Sequence, residues 1–149
     1  MPSENRAAEA WRLMFDFLMQ SSPQRLESLE KRGLTPNDSR ALFTLEEGND
    51  QPIGKLAGEW GCDPSTATWL VDRLERAGLV ERVPSSEDRR KKLVRLTPKG
   101  VTTKKDLMEE YYRPPAELVV LAKSDLDELI RILGKIGARQ DAFENESIR

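Results

Sequence analysis

The side chains that do covalent chemistry are nearly absent from this chain. There is no histidine, hence no imidazole base and no histidine-based metal site, and the one cysteine, Cys62, has no partner thiol. Glu46-Glu47 falls at a predicted helix end, where a solvated terminus explains it, and no glycine pattern suited to cradling phosphate occurs. Neither an enzymatic activity nor a cofactor or metal is expected. What the chain does have is concentrated positive charge. Residues 84–97 read PSSEDRRKKLVRLT, with four consecutive basic side chains, Arg89, Arg90, Lys91 and Lys92, between an acidic pair and an alternating apolar run. The formal net charge is -2, yet residues 82–105 hold nine basic residues against two acids, Glu87 and Asp88. Such polarity suits one basic element facing a polyanion, although a charge run on a loop is also what plain solvation produces.

A loop that meets a polyanion needs elements to hold it. Leu79 to Val83 and Lys92 to Leu96 read as two short strands, which puts the basic run at the tip of a hairpin. Before it, Asp63-Pro64 is a helix cap followed by a proline at the first helical position, and Gly78 closes that helix. Ala67, Leu70, Val71, Leu74 and Ala77 give it one apolar face. Ser65, Thr66, Thr68, Trp69, Asp72, Arg73 and Arg76 lie on the other. A shorter helix from about Ile53 to Trp60 precedes it across the turn Trp60-Gly61-Cys62-Asp63, so the pair has the spacing of a helix-turn-helix. In that motif the second helix enters the major groove, while an arginine on a hairpin tip can reach a minor groove and lysines behind it neutralise phosphates. Helix, turn, capped helix and basic hairpin in this order make a winged helix.

The flanks are helical as well. Ala7, Trp11, Met14 and Leu18, beside Ala10, Leu13 and Phe17, give residues 5–20 an apolar surface wider than a monomer's surface helix needs. The pattern resumes over 25–31 after Ser21-Ser22-Pro23. Thr35-Pro36-Asn37-Asp38 starts a helix that stops at Gly48-Asn49-Asp50, and Thr97-Pro98 starts another that Arg113-Pro114-Pro115 must end near Tyr112. Ser124 with Asp127 three residues on predicts the start of a last helix, lined by Leu126, Leu129, Ile130, Leu133 and Ile136, with a frayed tail after Gln140. A single cysteine, no apolar run near ~20 residues and no leader-like start lead to the expectation of a cytoplasmic protein with no membrane partner.

Residues 53–100 closely resemble the core of the MarR family of bacterial transcriptional regulators. The resemblance is carried by Leu56-Ala57, Asp63-Pro64-Ser65-Thr66, the run Leu70 to Glu75, Gly78-Leu79-Val80, Asp88-Arg89-Arg90 and Leu96-Thr97-Pro98-Lys99-Gly100, with Leu34-Thr35-Pro36 ahead of them. It implies a mainly α fold with a small β-hairpin wing, as one domain over 1–149. The winged helix-turn-helix would occupy about 34–100, with dimerisation helices at about 5–31 and 101–141. It further implies a homodimer that binds double-stranded DNA at a pseudo-palindromic operator as a transcriptional regulator, in the expected form a ligand-responsive repressor. By the same resemblance Ser65, Thr66, Thr68 and Trp69 fall on the base-reading face. Arg73 falls at a position used for phosphate contact or for bracing the helix, and Arg90 enters the minor groove beside Arg89, Lys91 and Lys92 with Asp88 orienting the loop. Many relatives carry arginine where this chain has Trp69. An indole cannot read guanine bidentately but can pack on a thymine methyl; alternatively it folds back over its own helix. Relatives that sense small aromatic or phenolic effectors bind them between the dimer helices and the winged domain. Trp11, Phe15 and Phe43 are the aromatic candidates for such a pocket, and all three would serve equally as core. Cys62 reads as a buried structural thiol. The alternative function is a winged-helix protein-interaction module whose basic wing docks an acidic partner.

Overall fold

The computed structural model describes the backbone of residues 2–146 and the side chains of residues 3–137. Contacts divide the chain into two compact units, 1–112 and 113–149. The first holds α1 (Pro2–Gln20), α2 (Ser22–Glu30), α3 (Pro36–Thr44), β1 (Gln51–Pro52), α4 (Ile53–Trp60), α5 (Pro64–Arg76), β2 (Val80–Pro84), β3 (Lys92–Leu96) and α6 (Pro98–Tyr111). The capping residues legible in the sequence set the starts of these helices. Asp38 N–H donates to Thr35 Oγ1 (3.2 Å) while Thr35 N–H donates to Asp38 Oδ2 (2.8 Å), a reciprocal box that fixes the start of α3. Thr97 caps α6 by accepting from Gly100 N–H at 3.0 Å. Gly100 cannot be another residue without movement. A Cβ built there would lie 1.9 Å from the Leu79 carbonyl oxygen, so the first turn of α6 sits directly on the backbone entering β2.

One hydrophobic core serves the winged-helix elements. Leu42 of α3, Leu56 of α4, Val71 and Leu74 of α5, Val80 and Val94 of the hairpin and Leu107 of α6 are among its most buried side chains. Burial of each contributes roughly 1.5–3 kcal/mol, and together they fix α5 and the hairpin on the same scaffold. Trp60 joins the edge of this core and keeps its indole N–H satisfied by Thr44 Oγ1 at 2.8 Å. The predicted hairpin is present, with Val80 opposite Leu96 and Pro84 opposite Lys92. It belongs to a three-stranded antiparallel sheet in the order β1-β3-β2, because Gln51 and Pro52 pair with Val94 and Leu93. A two-residue strand containing proline carries no alternating pattern, so sequence periodicity passes over it. Along α1, Trp11, Leu13, Met14, Phe15, Leu18 and Met19 are all exposed.

The second unit comprises α7 (Ala116–Val119) and α8 (Lys123–Glu146), after the break expected at Pro114-Pro115. Two expectations about α8 are corrected. The helix begins one residue before Ser124, and its first-turn N–H groups of Asp125 and Leu126 go to the Ala122 carbonyl. Asp127 closes no capping box; it pairs with Lys123 at 2.7 Å, one turn back along the helix. The backbone also stays helical beyond Gln140 to Glu146, and the rest of the tail expected to fray, 147–149, lies outside the described residues. Ile130, Ile132, Leu133 and Ile136 are exposed along α8. Among the described residues no helix is long and apolar enough to cross a membrane.

Candidate nucleic-acid interface

The turn between α4 and α5 is made by Gly61, whose φ of 63° is left-handed; its successor Cys62 donates N–H to the Ala57 carbonyl at 3.1 Å and stops α4. Two residues later Asp63 caps α5. Its carboxylate accepts from the Thr66 backbone N–H (2.9 Å), from the Thr66 hydroxyl (2.8 Å) and from the Ser65 hydroxyl. These bonds, the Ser65 hydroxyl foremost, hold the carboxyl well below the usual carboxylate range. Thr68 Oγ1 donates to the Pro64 carbonyl at 2.8 Å. Ser65, Thr66 and Thr68 are thus exposed together at the start of α5, as the sequence places them. Their hydroxyl protons, however, are held inside the helix. What the three present outward is acceptor capacity, the complement of an adenine or cytosine amino group in the major groove.

Trp69 follows on the same face and is 51% exposed, with its ring against Arg73 of its own helix. The Arg73 guanidinium, one turn on, lies 5.2 Å from the indole centroid. That guanidinium is anchored on its far side: Arg73 Nε donates to Asp38 Oδ1 (2.9 Å) and Nη2 to Asp38 Oδ2 (2.8 Å), a bidentate fork. Asp38 is fully buried. Burial alone would raise its carboxyl, but the bonds from Arg73 and Thr35 outweigh this and hold it below its ordinary value. Of the two family roles open to Arg73, bracing the helix is the one its contacts describe. Sequence reasoning did not find Asp38 as the other end of the brace, since 35 residues separate the partners.

The hairpin tip is shaped by Asp88. Its side chain accepts from Arg90 N–H at 3.0 Å and its carbonyl from Lys91 N–H at 3.0 Å, which closes the turn. Arg89, Arg90, Lys91 and Lys92 are exposed and, among the described residues, make no ion pair. The basic surface is narrower than the charge count over 82–105 implies. Arg82 pairs with Asp72 (2.6 Å) and Glu75 (2.9 Å), Arg95 with Asp50 (2.6 Å), and Lys104 with Glu46 (2.9 Å). The Arg82 contacts join β2 to the outer face of α5, so wing and second helix are held as one surface.

Of the aromatic pocket candidates, Phe43 lines a cavity. A cleft of about 530 Å³ runs between α2, α3 and α6, with Arg25, Ser39, Arg40, Phe43 and Tyr111 on its walls. Phe43 meets Tyr111 edge to face at 5.3 Å. Trp11 and Phe15 lie instead on the exposed face of α1, 6.1 Å apart, and neither is core. Cys62 is half-buried against the core, less enclosed than expected. No group of three or more metal-ligating side chains occurs among the described residues.

Comparison with known proteins agrees with this architecture. The model of the MarR family matches residues 34–92. The HTH-type transcriptional regulator YsmB of Bacillus subtilis (strain 168) is 36% identical over 115 residues, 73% of each chain. The HTH-type transcriptional repressor MdtR of the same organism is 26% identical over 134 residues, 85% of this chain and 83% of its own. Among solved structures, a MarR family protein from Bacillus stearothermophilus superposes with a TM-score of 0.77 at 28% identity, covering 93% of this chain and 97% of its own.

Proposed function

The chain belongs to the MarR family of helix-turn-helix transcriptional regulators, and on that premise we propose that it is a sequence-specific DNA-binding repressor acting as a homodimer on a pseudo-palindromic operator in the cytoplasm. The observation that carries the reading is the unpaired charge of Arg89, Arg90, Lys91 and Lys92 at the wing tip, held by the Arg82 contacts beside the open face of α5. Arg82 and Arg95, the other arginines of the hairpin, pair with carboxylates, and these four residues do not. α5 enters the major groove with Ser65, Thr66, Thr68 and Trp69 toward base edges. Arg90 enters the adjacent minor groove, where negative potential is focused, and its neighbours neutralise phosphates. The exposed apolar faces of α1 and α8 support pairing of two copies, whose two helices then meet half-sites about one helical turn, ~10 base pairs, apart. The cleft beside Phe43, with Arg25 and Arg40 on its walls, supports control by a small aromatic or phenolic anion.

The test is fluorescence anisotropy on the intergenic DNA beside the protein's own gene, with scrambled competitor, for wild type and Arg90→Ala. Binding that survives competitor and weakens by about 1–3 kcal/mol in the variant is the expected outcome. Equal, weak binding to specific and scrambled duplexes, indifferent to Arg90, would sink it and favour a protein partner for the wing.

A further inference from the structure

An exposed tryptophan on a polar helix face is an expensive way to fill space, and this one is deliberately held. Asp38, with no solvent exposure, is fixed by the capping box at the start of α3. It grips the Arg73 fork through two bonds, and the guanidinium lies over the indole of Trp69, 5.2 Å from its centroid. A buried anchor, a rigid linker and an exposed ring form a line from core to surface. Among the described residues the indole N–H donates to nothing, so no hydrogen bond of its own accounts for the ring's position. Restricting the ring before binding removes an ordering penalty that a free side chain would meet on contact.

What such a ring can read is limited by its chemistry. It carries no charge and a single N–H donor, so it does not make the forked bonds by which arginine or glutamine discriminates. The one apolar handle in the major groove is the C5-methyl of a pyrimidine. Beside it, Ser65, Thr66 and Thr68 present acceptors, which suit the exocyclic amino groups of adenine or cytosine. Resting on the reading of α5 as the DNA-facing helix, we infer that Trp69 is the specificity-determining residue of the interface, that it recognises a pyrimidine C5-methyl group, and that Arg73 and Asp38 are its positioning residues. The readout follows the methyl, whichever base bears it: thymine is preferred to uracil, and 5-methylcytosine to cytosine at the same place.

The experiment uses the full chain. Binding sites are selected from a random-sequence duplex pool, and the selected site is resynthesised with deoxyuridine replacing each symmetric pair of thymines in turn. Affinities are measured for wild type, Trp69→Ala and Arg73→Lys; the lysine keeps a cation for Asp38 but loses the two-bond fork and the guanidinium over the ring. One thymine pair is expected to matter, its methyl loss weakening wild type about fourfold per half-site, the factor for burying one methyl. The thymine-to-uracil ratio should fall to one in Trp69→Ala and below two in Arg73→Lys. Being a ratio within one variant, it is unaffected by lowered stability or active fraction, which a purely structural role for Arg73 would alter. Placing cytosine and then 5-methylcytosine at that pair should restore the methyl increment in wild type alone. A selected site with no methyl-sensitive thymine, or sensitivity that persists in Trp69→Ala, overturns the inference while leaving the DNA-binding reading intact. Failure to select any site overturns both.

Discussion

Asp38 shows how much a single buried group can organise. It caps α3, satisfies the Thr35 N–H, and holds Arg73 on α5, while remaining an ionised carboxylate inside the core. Replacing it by Asn keeps the cap but removes the charge from the fork, and should destabilise the fold by about 2 kcal/mol at neutral pH, measured by urea denaturation. The pH dependence has a definite sign. The folded carboxyl titrates below its ordinary value, so its stabilisation is fully present above about pH 5 and is lost as pH falls through the lower folded value. The gap between wild type and Asp38→Asn should therefore be constant from neutrality to about pH 5 and narrow below about pH 4. A gap that widens on acidification would contradict the assignment. The sequence announced Asp38 as the first-turn acid behind the Thr35 cap because Thr35-Pro36-Asn37-Asp38 is a local pattern. It gave no sign of the second role, since nothing in the spacing of Asp38 and Arg73 marks them as neighbours. The same holds for Trp11: helical periodicity places it on an apolar stripe, but whether a stripe is covered depends on partners that periodicity does not contain.

Among the elements, α4, α5 and the hairpin were legible because each is punctuated locally, by Gly61, Asp63-Pro64, Gly78 and Thr97-Pro98. The candidate site on them was correspondingly legible as a surface, and less so as a set of roles. The register of β1 against β3 was not legible, nor was the narrowing of the basic patch by the Arg82, Arg95 and Lys104 pairs. These depend on residues brought together only by the finished fold. The junction of α6 with β2 gives the sharpest element-level prediction. Gly100→Ala places a methyl 1.9 Å from the Leu79 carbonyl oxygen, and the obstacle is backbone, which cannot rotate away. A loss of roughly 3 kcal/mol is expected, as for an overpacked core, with a matching fall in melting temperature. Gly54→Ala, where a Cβ meets nothing within 4 Å, serves as the control and should be neutral or slightly stabilising. Equal effects at the two positions would count against the tight junction.

For the molecule as a whole, the apolar side chains exposed on α1 and α8 belong to the proposed dimer. Sedimentation should give twice the mass of one chain, and Trp11→Glu with Ile130→Glu should shift it toward one. DNA affinity should drop in parallel, since a monomer meets only one half-site. An undisturbed dimer in that double variant would move the interface elsewhere. The contact at Gly100 also has a mechanical side. Thr97 Oγ1 donates to the Gly78 carbonyl at 2.5 Å, Thr97 N–H to the Leu79 carbonyl at 3.0 Å, and Gly100 sits flush on that same backbone. A joint clamped at three points has no play. α6, which lines the Phe43 cleft through Tyr111, is thus fastened at its other end to the backbone that enters the wing.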